Sequence, residues 1–131
     1  HTKHYLTALD IFSDNFVLGS GPKTFRVVCD KYPYDGCSTH PHNFLLQLLS
    51  ETGIIGTVTG ILIYLILISA LIKYRPTNKN NESKEYFLIF LSSVIIIYFP
   101  FLPSNNFFHQ WINIQNYILI GFILYTHRDI K

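Results

Sequence analysis

Methionine is absent from all 131 residues, tryptophan occurs once, and charged side chains make up only 14% of the chain. Soluble domains carry roughly a quarter charged residues, so an ordinary water-facing surface is excluded. The shortage of charge is not that of a disordered chain either, because hydrophobic residues reach 49% and aromatics 16%, far above what disorder tolerates. Nor does one sign dominate: ten Lys and Arg face eight Asp and Glu, for a net charge of +2, and no predicted helix gathers the basic ones. Nucleic acid is therefore not an expected partner. The chain lacks the layout of a signal peptide and opens on His1, from which a fragment of a larger protein is expected.

What is abundant is uncharged apolar sequence, unevenly spread. Residues 1–43 mix charges, turns and aromatics, with Lys3, Lys23, Arg26 and Lys31 balanced by Asp10, Asp14, Asp30 and Asp35, and they read as a loop region. Beyond Gly53 apolar runs take over. From Ile54 to Ile72 nineteen residues pass without a charge, which at about 1.5 Å per residue covers a hydrocarbon layer of about 30 Å. This run is predicted to be a transmembrane helix, since a chain this small has no soluble mass to cover such a helix on every side. A polar connector follows at 73–85, with Pro76 and several Asn, Thr and Ser that do not continue a helix comfortably. A second apolar run, Tyr86 to Leu102, ends in FPFLP, where Pro100 and Pro103 break it. A third, Phe107 to Tyr125, is diluted in its first half by His109, Gln110, Asn113, Gln115 and Asn116.

The positive-inside rule orients these three predicted spans. Lys73, Arg75, Lys79 and Lys84 mark 73–85 as cytoplasmic, as Arg128 and Lys131 do the tail, so 1–53 and 103–108 fall outside. Cys29 and Cys37 lie in that outer region with seven residues between them, including Pro33 and Gly36. In an oxidising compartment such a turn favours a loop-stapling disulfide over two free thiols.

Chemistry is most concentrated in THPHNFLLQLLSETGIIGT, residues 39–57. Thr39 or His40 is expected to cap a helix with Pro41 in its first turn, and Gly53 to close that helix before the span begins. Helical periodicity puts Asn43, Gln47, Ser50 and Glu51 on one face and Phe44, Leu45, Leu46, Leu48 and Leu49 on the other, an amphipathic helix at the membrane surface or packed on a bundle. His42 falls in the first turn, where the helix dipole disfavours a second positive charge and holds the imidazole neutral. The free N–H groups there suit a phosphate. A lone histidine at a helix start also serves as a plain polar cap. His40 and His42 as a metal pair is opposed by Pro41 and the helical start, and the only further ligands in view are Asp30, Asp35 and His109. Neither a metal nor any other cofactor is expected. Glu51, nine positions on, points away from His42 along one helix and is expected to bond a neighbouring helix or an arginine.

Upstream, VLGSGPKTFR sets Gly19 and Gly21 around Ser20, a tight turn or an anion nest. Arg26, with Lys23 as second choice, is the natural contact for a pyrophosphate, or else a surface charge paired with Asp30. Phe12, Phe16, Phe25, Tyr32 and Tyr34 suit stacking on sugar rings or, more simply, an aromatic belt at the interface.

His42 and Asn43, then residues 44–52, then Gly53, Gly56 and Thr57, form a His-Asn, G-x-x-G, Thr pattern. Together with GSGPKTF upstream and FPFLPSNNFFHQW downstream, this pattern resembles the O-antigen ligase and O-antigen polymerase superfamily, in its C-terminal part and over nearly the whole chain. The resemblance implies an all-α, multi-span enzyme of the bacterial inner membrane with a periplasmic loop over its helix bundle. It implies transfer of a glycan from undecaprenyl pyrophosphate to an acceptor glycan, with inversion and without a metal. His42 matches the family's essential histidine, which removes the acceptor hydroxyl's proton or positions it. Asn43, Glu51, Gly53 and Gly56 match motif positions that shape the helix. The arginines that hold pyrophosphate in the family would precede His1, and Arg26 matches none of them; the chain alone is thus expected to be inactive.

The expected molecule is an all-α integral membrane fragment, with a periplasmic region 1–53 and a three-span region 54–131. His42 is the expected catalytic residue, with Arg26, Lys23, Asn43 and His40 binding substrate and Gly19, Gly21, Glu51, Gly53 and Gly56 structural. Polymerisation of lipid-linked repeat units is expected ahead of ligation to lipid A core. A non-enzymatic subunit of polysaccharide export is the alternative of another class, and other polysaccharide-assembly membrane proteins are conceivable neighbours. The apolar runs count against a soluble hydrolase, and resistance to chelators would exclude a metal-dependent phosphatase.

Overall fold

The computed structural model describes residues 1–73, 81–99 and 102–128. Among these the regular structure is entirely helical: α1 (Thr2–Asp14), α2 (Phe25–Val28) running into a 3-10 turn (Cys29–Lys31), α3 (Phe44–Lys73), α4 (Asn81–Ile97) and α5 (Gln110–Arg128). Among the described residues one helix, α3, is long and apolar enough to cross a membrane, and it contains the predicted span 54–72; the second and third predicted spans do not meet that length and hydropathy. Residues 74–80, with Arg75, Pro76 and Lys79, lie outside the described residues, as do Pro100 and Lys131.

Two boundaries differ from the sequence expectation. The region 1–43 is not a loop: it opens with the 13-residue α1, whose Thr7, Ala8 and Ile11 are buried along one stripe. That stripe has helical spacing, but the charges and turn residues after it dominate the composition of the region. Helix α4 begins at Asn81, ahead of the apolar run at Tyr86, because NESKE forms its polar first turns with Glu82 near the positive helix end.

The fold has two apolar centres. Ala8, Ile11, Phe25 and Cys29 form one between α1, α2 and the start of α3, with Val28, Tyr32 and Leu46 against it. Cys29 and Cys37 are joined by a disulfide with Cα atoms 5.1 Å apart, which ties the segment after the 3-10 turn to this centre. Phe25 is 0% exposed, so it belongs to the core and neither to a sugar platform nor to an aromatic belt. The second centre joins α3, α4 and α5 through Leu71, Phe87, Leu91, Val94 and Ile123. Around it Leu62, Ile63, Leu65, Ile66, Leu88, Ile89, Ile118 and Leu124 face outward, far more apolar surface than a water-soluble monomer leaves uncovered.

The two centres are joined by a break in α3. Gly53 has φ 64° and ψ −167°, which interrupts the helix, and segment 16–21 fits into the gap. Ser20 and Gly21 N–H groups donate to the carbonyls of Ser50 and Glu51, both at 2.9 Å, and the Ile54 and Ile55 N–H groups donate to those of Phe16 and Val17, at 2.8 and 3.4 Å. The Thr57 hydroxyl donates to the Gly53 carbonyl at 2.7 Å. The orphan groups of a broken helix are thus satisfied by a second stretch of backbone. Gly19, at φ +71°, sits against the break: a Cβ there would run into the backbone of Glu51, Thr52 and Gly53. Two glycines far apart in sequence make a single junction.

Candidate functional site: a histidine cluster between two clefts

The helix that carries the site starts later than the sequence suggests. Helix α3 begins at Phe44, and its cap is Asn43, whose Oδ1 accepts from the Leu46 N–H at 3.0 Å. Asn43 Nδ2 donates to the Leu102 carbonyl at 3.4 Å. Expected as a substrate ligand, Asn43 is instead 6% exposed and bonded to backbone at both ends of its amide. Thr39 and His40 are not the cap, Pro41 is not in the first turn, and His42 precedes the helix in the left-handed region at φ 58°. A β-carbon there strains the backbone by about 1–3 kcal/mol, and the strain is held by the Ser104 N–H donating to the His42 carbonyl at 2.9 Å.

The polar face of α3's first half points inward, the reverse of a surface-lying helix. Gln47, Ser50 and Glu51 are each 0% exposed; the Gln47 and Glu51 side chains form one network, and the Ser50 hydroxyl donates to the Leu46 and Gln47 carbonyls of its own helix at 2.8 and 3.3 Å. Glu51 Oε1 accepts from the Phe25 N–H at 2.8 Å, which supplies the start of α2 with the cap that Thr24 does not give it. Gln47 Nε2 donates to Glu51 Oε2 at 3.0 Å and to Asn106 Oδ1 at 2.9 Å, and Gln47 Oε1 accepts from the Phe107 N–H at 2.9 Å. Glu51 therefore bonds a neighbouring helix through that helix's backbone. Gln47 and Asn106, which no motif singles out, fasten segment 102–109 to α3.

That segment separates two clefts. One, about 540 Å³, is lined by Lys23, Arg26, His40, Asn106, His109 and Trp111 among others. The other, about 520 Å³, is lined by His1, His42, Phe44, Tyr98, Ser104 and Asn113 among others. Lys23, Arg26 and His40 thus share the first cleft and His42 opens on the second; Asn105, Asn106 and Ile112 line both. No ion pair joins Arg26 to Asp30. Ser104 Oγ is buried and has no hydrogen-bond partner among the described residues. Gly19 and Gly21 offer no anion nest, because the N–H groups of residues 19–21 are donated to Asn15, Ser50 and Glu51 carbonyls.

Between the clefts the imidazoles cluster. The His42 ring centroid lies 4.3 Å from that of His40, 5.1 Å from His1 and 5.2 Å from His4. His40 Nε2 donates to the Ser104 carbonyl at 3.3 Å and its Nδ1 lies 3.0 Å from Thr39 Oγ1, so both ring nitrogens are engaged. His42 is held below the ordinary histidine range by burial first, then by His40 and His4. His40 is also held down by burial, with His4 and His109 adding to it and the Ser104 carbonyl opposing it. The downward direction agrees with the neutral His42 expected from the sequence, and burial is its first cause, ahead of the neighbouring imidazoles.

The signs of these shifts predict an acid sensitivity. A histidine whose folded pKa is depressed takes up a proton more readily unfolded, so stability is full above the unfolded value of about 6.5 and falls as pH drops below it. In chelator-treated buffer the unfolding midpoint of the protein in detergent is expected to fall between pH 7.5 and pH 5.5, and to fall less in His40→Asn. Equal slopes in the two proteins would remove His40 as a cause.

No protein-family model matches this chain, and neither does any curated protein or any solved structure.

Proposed function

We propose that this chain is the C-terminal part of a bacterial inner-membrane glycosyltransferase that polymerises lipid-linked oligosaccharide repeat units of an O-antigen or related polysaccharide. The observation that carries this proposal is the meeting of three segments distant in sequence. GSGPKTF is spliced into the break of α3 through Ser20 and Gly21, and the downstream segment is bonded to HPHN through Leu102 and Ser104 and to Gln47 through Asn106 and Phe107. These are the segments on which the family resemblance rests; they converge on Gln47 and Glu51, on the same helix that His42 precedes.

In the proposed reaction the neutral His42 takes the proton of an acceptor hydroxyl. That oxygen attacks the anomeric carbon of the donor sugar, the bond to undecaprenyl pyrophosphate breaks, and the configuration inverts. Pyrophosphate already leaves well, so the protein need only orient the hydroxyl, supply a base and hold negative charge. Lys23 and Arg26, on the cleft beside His40, are suited to the charge, and the unpartnered Ser104 hydroxyl to a polar ligand. In the same proposal α4 and α5, 17 and 19 residues long, are the second and third spans, with 73–85 cytoplasmic and 1–53 periplasmic.

The test is His42→Ala in the intact protein in cells, with surface glycan read by gel and lipid-linked intermediates by mass. Loss of a general base lowers transfer by about 10²–10⁴-fold, so surface glycan should disappear while single lipid-linked units accumulate. Accumulation of long unattached chains would assign ligation in place of polymerisation. Unchanged glycan at normal protein level would overturn the enzymatic assignment and favour a non-catalytic export subunit.

A further inference from the structure

We propose that His1, His4 and His42 form a three-imidazole site for one divalent transition-metal ion at the mouth of the His42 cleft. His1 and His4 stand one turn apart at the start of α1, on the same face, and His42 comes to them from the left-handed position ahead of α3. One ring nitrogen from each lies within 4.8 Å of those of the other two. Around a tetrahedral zinc, with Zn–N of about 2.0–2.1 Å, ligand nitrogens sit about 3.4 Å apart. His1 is exposed and His42 half-buried, and the proposed site requires their rings to turn by this difference while His4 stays on the Gly36 carbonyl.

One of the three imidazoles is already oriented by a backbone partner. His4 Nδ1 donates to the Gly36 carbonyl at 2.8 Å, which fixes its proton on Nδ1 and leaves the lone pair on Nε2. A ligating histidine is oriented in this way, by donating its other N–H to a backbone carbonyl. The donor set contains three imidazoles and no carboxylate, which suits zinc, copper or nickel and not magnesium or calcium. Three protein ligands leave a fourth position for water. His40, the partner that H-x-H spacing suggests for His42, is bonded at both ring nitrogens to Ser104 and Thr39 and takes no part.

A metal on His42 would occupy the lone pair that proton abstraction requires, so occupancy and transfer exclude each other. That consequence rests on the function proposed above; the binding itself does not. It makes the ion an inhibitor and not a participant in the reaction.

The test is calorimetric titration of ZnCl₂ into the intact protein in detergent, stripped beforehand with a chelator. Wild type should bind one zinc per chain. His4→Asn, whose amide can still donate to the Gly36 carbonyl, and His1→Ala, at an exposed position where packing is not disturbed, should each weaken binding at least about tenfold. Absence of saturable binding to wild type, or a smaller loss in either variant with helical content retained, overturns the site. Normal surface glycan from a His42→Ala protein would overturn the assignment of His42 as base and leave the zinc result untouched.

Discussion

Gly19→Ala is expected to unfold the layer of α1 and α2 from α3, with a loss of more than about 4 kcal/mol, a size reached by few single substitutions. A left-handed conformation costs an L-residue about 1–2 kcal/mol, and Gly19 stands at φ +71°. The added methyl would also meet the backbone of Glu51, Thr52 and Gly53, which cannot rotate aside as a side chain would. Relief requires withdrawing segment 16–21, and with it go the four hydrogen bonds that link Phe16, Val17, Ser20 and Gly21 to Ile54, Ile55, Ser50 and Glu51. Each is worth about 1 kcal/mol net and more if its groups stay buried. Gly60→Ala is the matching control, since its methyl would meet only the Leu48 Cδ1 tip at 3.2 Å. Thermal unfolding of both variants in detergent should show a large drop for Gly19→Ala and little change for Gly60→Ala. Equal midpoints would mean that the junction does not hold the layers together.

Glu51→Ala is the second substitution with a large expected effect, about 3–5 kcal/mol. Its carboxylate accepts from the Phe25 N–H and from Gln47 Nε2, both in a region closed to water. Removing it strands two donors at about 1–3 kcal/mol each and leaves a cavity where a residue was 0% exposed. Glu51→Gln is expected to restore only part of this. One oxygen can still take the Phe25 N–H, but the new NH₂ then faces Gln47 Nε2, a donor against a donor. Gln47 cannot turn its amide over without opposing the Phe107 N–H and losing its donation to Asn106. The expected order of unfolding midpoints is therefore wild type, Glu51→Gln, Glu51→Ala. A Glu51→Gln protein as stable as wild type would show that the network tolerates a reversed amide.

The apolar run 54–72 is legible in the sequence because spanning potential depends on length and composition, which need no partner to be read. The run 54–72 accordingly lies within α3, and the glycine that was expected to end a helix at 53 does interrupt it. The inward turn of Gln47, Ser50 and Glu51 was not legible. The distant partners of the Gln47 and Glu51 side chains are the backbone of Phe25 and Phe107 and the side chain of Asn106, and no periodicity within α3 reports on chain so far away. The same limit concealed His1 and His4. Their spacing is helical, but only the packing of α1 on α3 brings them to His42. The position of His42 itself, one residue before its own cap, depends on the Ser104 N–H, which lies beyond two apolar runs.

The junction at Gly53 also has a mechanical consequence. Four backbone bonds on both sides of the break lock segment 16–21 to α3 against twisting as well as pulling. The stretch of α3 between His42 and the break then acts as a strut of fixed length. Nine helical residues, 44–52, span about 13 Å at 1.5 Å per residue. In the proposed membrane placement, with the lipid core ending near Ile54, the imidazole cluster stands at a constant height above the lipid, and tilting of α3 tilts the clefts with it.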